Sequence, residues 1–137
     1  MTVIVCVCDG GGMLFNGRRL SRDAAVIKDV ESLVGDGIVF ISNFSEKLFE
    51  DSSESVISVS DPLESAKDDF AFIEDMALLP YAEKIDELVI YRWNRRYPFD
   101  FKLDIDPEKE GMTLAQTVDI VGNSHAKITR ETWRKNL

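Results

Sequence analysis

Val3-Ile4-Val5-Cys6-Val7-Cys8, running into Asp9-Gly10-Gly11-Gly12, is an unbroken apolar, largely β-branched segment closed by residues that do not extend a strand. A strand with one wet face alternates polar and apolar residues, whereas this one is apolar at every position. It is therefore read as a strand covered on both faces, central in its sheet. Cys6 and Cys8 lie two residues apart on the same strand face, and the reading is buried structural thiols rather than a redox loop.

Outward from this strand, helices and strands alternate. The glycines open an unusually apolar loop through Met13, Leu14, Phe15, Asn16 and Gly17. Ser21 is a plausible N-cap for a helix over Arg22 to Val34, stopped by Gly35 and Gly37. Gly37 to Ser42 reads as a second buried strand, with Asn43 or Ser45 capping a short helix to Phe49. Ser55 to Ser60 and Phe70 to Ile73 read as further strands, with helical potential in Leu63 to Lys67 between them. A helix starting at Met76 or Pro80 and ending at Ile85 leads into a strand over Glu87 to Arg92. That alternation specifies an α/β domain, read as one unit over residues 1–137.

The last third has a different texture. Phe99, Phe101, Leu103 and Ile105 alternate with Asp100, Lys102, Asp104 and Asp106, which predicts a strand with one wet face, at an edge or bend because of Pro98. Met112 to Val121 and Lys127 to Arg134 fit an antiparallel hairpin turning at Gly122-Asn123-Ser124-His125. A helix over residues 127–135 competes with the second of these strands.

At 137 residues the chain is of ordinary single-domain size, and its charged fraction of 30% beside 45% apolar residues is that of a globular protein. The net charge of -9 disfavours nonspecific attraction to phosphate backbones or anionic membranes. No apolar run approaches the ~20 residues that span a bilayer, so a cytosolic protein without membrane partners is the default. With one histidine, His125, no metal site is expected.

Against that acidity, Tyr91-Arg92-Trp93-Asn94-Arg95-Arg96-Tyr97-Pro98 concentrates three arginines among aromatics. Arg92, Arg95 and Arg96 either pair with aspartates of the 100–106 segment and with Asp68 and Asp69, or form a rim for an anionic ligand with Arg18 and Arg19. Trp93 is a core or interface anchor, or else a plate on which a planar ligand stacks. Asn16, Asn94 and Asn123 stand where turns favour asparagine. His125 reads as a solvated or structural histidine, with an acid–base role beside Ser124 and Lys127 as the alternative; no Ser-His-acid spacing supports a nucleophile. Gly10 to Gly12 match neither a P-loop nor a dinucleotide fingerprint.

The buried first strand, the glycine-bearing apolar loop, the first helix, the further βα units and the terminal hairpin together resemble dihydrofolate reductase. Ile4 to Asp9 with Gly11-Gly12-Met13 and Asn16-Gly17-Arg18 resembles that family's first strand and substrate loop. Ile85 to Tyr91, then Tyr97-Pro98-Phe99-Asp100 and Leu103 to Asp106, resembles its penultimate strand region. The resemblance implies a three-layer mixed sheet with flanking helices and a C-terminal hairpin. It also implies NADPH as a cofactor, and Asp23, near the start of the first helix, as the carboxylate that holds a pterin ring. Macrodipole stabilisation and the neighbouring Arg18, Arg19 and Arg22 offer Asp23 a structural role instead. The family's paired glycines after a late strand, which admit the cofactor pyrophosphate, have no counterpart: Phe70 to Ile73 is followed by Glu74-Asp75-Met76. Its tryptophan-proline pair before the first helix is replaced by Arg19-Leu20-Ser21-Arg22.

Trp93-Asn94-Arg95, Gly122 to His125 and Lys127-Ile128-Thr129 resemble strings in a group of small uncharacterised bacterial proteins. Zinc-dependent RNA processing, which draws on several histidines, is hard to credit to a chain with one. The reading favoured is a reductase-like fold that binds a small anionic ligand or a protein partner without hydride transfer, through Asn16, Arg18, Arg19, Arg92, Trp93, Asn94, Arg95, Arg96 and His125. The alternatives are an NADPH-dependent reductase of a pterin-like or other planar substrate and, least favoured, an RNA-associated protein. Oligomeric state is not encoded in any pattern found.

Overall fold

The computed structural model describes residues 1–52 and 55–136. β1 (Thr2–Val7) lies inside a seven-stranded sheet with β6 (Phe70–Phe72) and β7 (Glu87–Arg92) parallel on its two sides. Beyond β6 come β4 (Val39–Ile41) and β5 (Val56–Ser58), also parallel. Beyond β7 the direction reverses, with β10 (Ile128–Lys135) antiparallel to β7 and paired to β9 (Met112–Ile120) at the edge. The segment that could have been helix or strand is therefore a strand, paired over its whole length.

β1 is covered on both faces because alternate residues enter different cores. Val3, Val5 and Val7 join Leu63, Ile73, Leu78, Leu88 and Ile90 on one side. Ile4 and Cys6 face α1 (Ala24–Val34) on the other, where Val26, Val30 and Val34, one stripe of the helix, pack on Phe72, Val89 and Tyr91. The first of these faces is covered by α2 (Pro62–Ser65) and the residues flanking the 3-10 helix Leu79–Lys84. Glu46 to Phe49 belongs to a second 3-10 helix, Asn43–Phe49.

Three local expectations are corrected. The helix cap is Asp23 rather than Ser21: Asp23 is extended at φ -154, and its side chain accepts from the Ala25 N–H. The apolar loop after β1 is a hairpin, β2 (Gly12–Phe15) and β3 (Arg18–Arg19), turning on Asn16 and Gly17 at φ 51 and 71. Both turn residues are left-handed, the geometry an Asn-Gly pair supplies for a two-residue hairpin. The 97–106 segment is strand only at β8 (Phe101–Lys102), which pairs with β2 in a separate three-stranded sheet. Its aspartates act as acceptors for backbone N–H groups instead: Asp100 takes that of Asn16, Asp104 those of Leu78 and Leu79, and Asp106 that of Glu108.

Candidate functional site

The carboxyl ends of the parallel strands, where open α/β sheets place their ligand crevices, carry Cys8 after β1, Ser42 after β4, Glu74 after β6 and Trp93 after β7. The amino end of α1 arrives at the same edge with Asp23. Two clusters of polar side chains form there.

The first fills the end of β6. Arg19, carried on β3, places Nε 2.9 Å from Glu74 Oε2 and Nη2 3.0 Å from Oε1, a two-point pairing. The same Nη2 donates to the Phe44 carbonyl at 2.9 Å, the guanidinium lies over the Phe44 ring, and the fully buried Ser45 donates to Glu74 at 2.7 Å. Glu74 is buried, so Arg19 serves as its counterion. Next to it Ser42 donates to Asp75, and Cys6 lies beneath, its thiol pushed far up by burial and then by the Glu74 charge, against the opposing pull of Arg19.

The second cluster joins α1 to the loop between β9 and β10. Asp23 Oδ1 accepts the N–H groups of Ala25 and Asn123, each at 2.9 Å. Its Oδ2 accepts the Ser124 N–H at 2.9 Å, the Ser124 hydroxyl at 3.2 Å and His125 Nδ1 at 3.0 Å. Burial raises the Asp23 pKa, but the bonds from Asn123, His125, Ser124 and Ala25 outweigh it and hold the carboxyl far below the usual range. A carboxylate has about four lone-pair sites, and five donors already meet this one. Gly122 makes the loop's approach feasible, since a Cβ there would lie 2.6 Å from both Asp23 Oδ2 and the His125 carbonyl.

His125 is buried, not solvated at a turn. Its Nε2 is 3.0 Å from Ser21 Oγ and 3.3 Å from the Tyr97 hydroxyl. Trp93 stacks on its ring at 4.7 Å between centroids and 26° between planes. Although no spacing in the sequence joins them, the fold thus assembles Ser21, His125 and Asp23 into a hydrogen-bonded serine–histidine–aspartate row. Ser21 and Tyr97 are site residues that sequence reasoning missed. The contact between Ser21 and His125 spans 104 positions, and only the α1–hairpin packing brings it about.

The remaining candidates divide. Asp23, Trp93 and His125 meet directly, and Arg95 joins them by donating to the Ser124 carbonyl at 3.2 Å. Arg19 stands on the other side of the crevice with Glu74. Arg92 belongs to the sheet surface, where it pairs with Glu131 at 2.9 Å, not with the aspartates of 100–106 or with Asp68 and Asp69. Asn94, at φ 59, ties the end of β7 to β10 through the Lys127 carbonyl and Thr129. Asn16 and Arg18 lie exposed at the tip of the β2–β3 hairpin, and Arg96 is exposed beside Arg95. Among the described residues, Arg18, Arg22, Arg95 and Arg96 form no ion pair.

Two spaces open at this edge. A cavity of about 20 Å3 lies among Cys6, Met13, Leu20, Ser21, Ile27 and Leu48, room for little more than a water molecule. An open groove of about 460 Å3 runs between α1 and the 3-10 helix Asn43–Phe49, with Arg22, Asn123 and Ser124 at one end and charges of both signs, Lys28 and Lys47 beside Glu31, Glu50 and Asp51, further along.

No family model matches the sequence, and no curated protein matches it. Among solved structures, dihydrofolate reductase from Enterococcus faecalis, complexed with NADP(H) and RAB-propyl, is similar: the TM-score is 0.67 at 14% identity, over 99% of this chain and 96% of that one. The chain thus has a dihydrofolate reductase-like fold, as the sequence resemblance implied. The residues at the end of β6 do not fit the cofactor that resemblance implies. Glu74 and Asp75 replace glycines, and no glycine there provides a close backbone approach. A pyrophosphate would face carboxylates, the nearer of which has already consumed its arginine.

Proposed function

We propose that this protein binds a small anionic ligand at the α1 end of the crevice and performs no hydride transfer. What carries the reading is how the arginines are divided. Arg19 is spent on Glu74 where a reductase would receive its cofactor. Arg22 and Arg95, flanking the loop that holds Asp23, have no carboxylate partner among the described residues and are free to meet an anion. Asp23 supports the same conclusion, because a carboxylate saturated by the protein's own donors has no lone pair left to hold a pterin ring. Trp93, 4% exposed and stacked on His125, is better suited to supporting the site than to docking a protein partner.

Thermal shift and calorimetry at low ionic strength test this. NADPH, itself a phosphate ester, should stabilise no more than its adenosine 2′-phosphate portion does alone, while a small phosphate ester or dicarboxylate at about ten times its Kd should stabilise by about 1.4 kcal/mol, an effect abolished in Arg22→Gln/Arg95→Gln. Stabilisation by NADPH together with dihydrofolate-dependent loss of its 340 nm absorbance would overturn the reading.

A further inference from the structure

The row Ser21–His125–Asp23 has the connectivity of a nucleophile, a general base and an orienting carboxylate. Asp23 is ionised and can only accept, so His125 carries its proton on Nδ1 and presents a lone pair at Nε2. Ser21 Oγ, 3.0 Å away, donates to that lone pair. The Tyr97 hydroxyl lies 3.3 Å from the same Nε2 and 3.4 Å from Ser21 Oγ; with the Nε2 lone pair taken by Ser21, its single proton is left for Ser21 Oγ, where it supports negative charge. Trp93 beneath the imidazole and the saturated Asp23 fix the ring, so little reorganisation accompanies proton transfer.

Ser21 differs from its partners in being partly exposed, and it borders the small cavity with Leu20, Ile27 and Leu48. The N–H of Arg22, the residue after the serine, has no acceptor among the described residues. In nucleophile-elbow hydrolases the N–H of the residue after the serine is one of the donors to the oxyanion.

We propose that Ser21 is an acyl-accepting nucleophile, activated by His125 and Asp23, and that the protein hydrolyses an ester or thioester with a short acyl group and an anionic leaving portion. Ser21 Oγ bonds to the acyl carbon as its proton moves to His125 Nε2, and the carbonyl π pair moves onto oxygen. Collapse of this tetrahedral oxyanion expels the alkoxide or thiolate, which takes the proton from Nε2, leaving an acyl-serine. Water, losing a proton to Nε2, then adds to the acyl carbon, and the second collapse releases the carboxylic acid and restores Ser21 Oγ–H. A long acyl chain is excluded because the cavity beside Ser21 offers only about 20 Å3, so the smallest acyl groups, carried on the exposed side of Ser21, are the ones that fit. The anionic portion alone rests on the function proposed above.

The test is covalent labelling of the whole protein with a fluorophosphonate probe, located by peptide mass mapping, alongside hydrolysis of p-nitrophenyl acetate. The expected result is one adduct, on Ser21, that disappears in Ser21→Ala, persists in Ser58→Ala, and forms at least ~100-fold more slowly in His125→Phe. Labelling absent from Ser21, or spread over exposed serines, overturns the proposal, as does a Ser21→Ala protein that hydrolyses the ester at the unaltered rate. Because the wild-type map is decisive, a variant that fails to fold does not rescue the idea. A protein that labels at Ser21 yet gains no stability from anions retains this relay and loses only the anion-binding reading.

Discussion

Replacing Arg19 by Met should be among the most destabilising single changes at this edge of the sheet. Among the described residues Arg19 is the only counterion of Glu74, the two side chains are 21% and 9% exposed, and both guanidinium–carboxylate bonds are short. Removing one partner of a buried pair leaves an uncompensated charge, at about 3–5 kcal/mol. Taking about 2.1 cal/mol/K per residue for the entropy of unfolding, 137 residues give ~0.29 kcal/mol/K, so a 3 kcal/mol loss lowers the melting temperature by about 10 °C. Glu74→Leu should cost less, about 1–2 kcal/mol, because the freed arginine can turn toward solvent and only Ser45 is left without its acceptor. In Arg19→Met/Glu74→Leu no charge remains buried, and the double variant should lose about 1–2 kcal/mol, near the milder single change. Urea and thermal unfolding followed by circular dichroism complete the cycle, with an expected coupling of about 3 kcal/mol. A coupling below about 1 kcal/mol, the value of a solvated surface pair, would refute the claim that Arg19 serves chiefly as the counterion of Glu74.

Other consequences are open to direct measurement. Since the folded-state pKa of Asp23 is depressed, its contribution to stability is fully present above the unfolded value of about 3.9 and is lost as pH falls toward the folded one; Asp23→Asn should flatten the acid limb of a stability–pH curve, and an unchanged limb would contradict the bonding described. Gly122→Ala should cost at least about 2 kcal/mol and detach the loop from Asp23, visible as a lost downfield His125 ring proton by NMR, because the new methyl would meet a backbone carbonyl that cannot yield. Cys6, whose thiol is pushed up by burial and by Glu74, should resist Ellman's reagent at pH 8 until urea unfolds the chain, and rapid native reaction of Cys6 would count against its placement.

The elements that were legible in the sequence are those that bury one pattern throughout. β1 reads correctly because Val3, Val5 and Val7 enter one core and Ile4 and Cys6 another, leaving no polar position to interrupt the run. The 97–106 segment misleads because its alternation has another cause: Phe101, Leu103 and Ile105 face the core while Asp100, Asp104 and Asp106 capture backbone N–H groups, some of them more than twenty residues away. Asn16-Gly17 is a two-residue hairpin signal, but the segment reads as an apolar loop because the strands it joins are only four and two residues long. At the site, Asp23 could be placed near the helix start from local sequence, yet its ties to Asn123, Ser124 and His125 could not. No local pattern distinguishes a histidine at a turn from one folded under a tryptophan.

The bond between Asp23 and His125 closes a separation of 102 residues, and that span bears on when the site comes into being. Contacts so distant in sequence incur their loop-closure entropy before they contribute any stabilisation, so they belong to the late, slow part of folding. During synthesis, Ser21, the groove wall and the Arg19–Glu74 pair all emerge long before His125. A chain still lacking its last hairpin holds Ser21 as an ordinary serine, and whatever chemistry this edge performs begins only when β10 has paired with β7. Completion of the fold and acquisition of the site are one event.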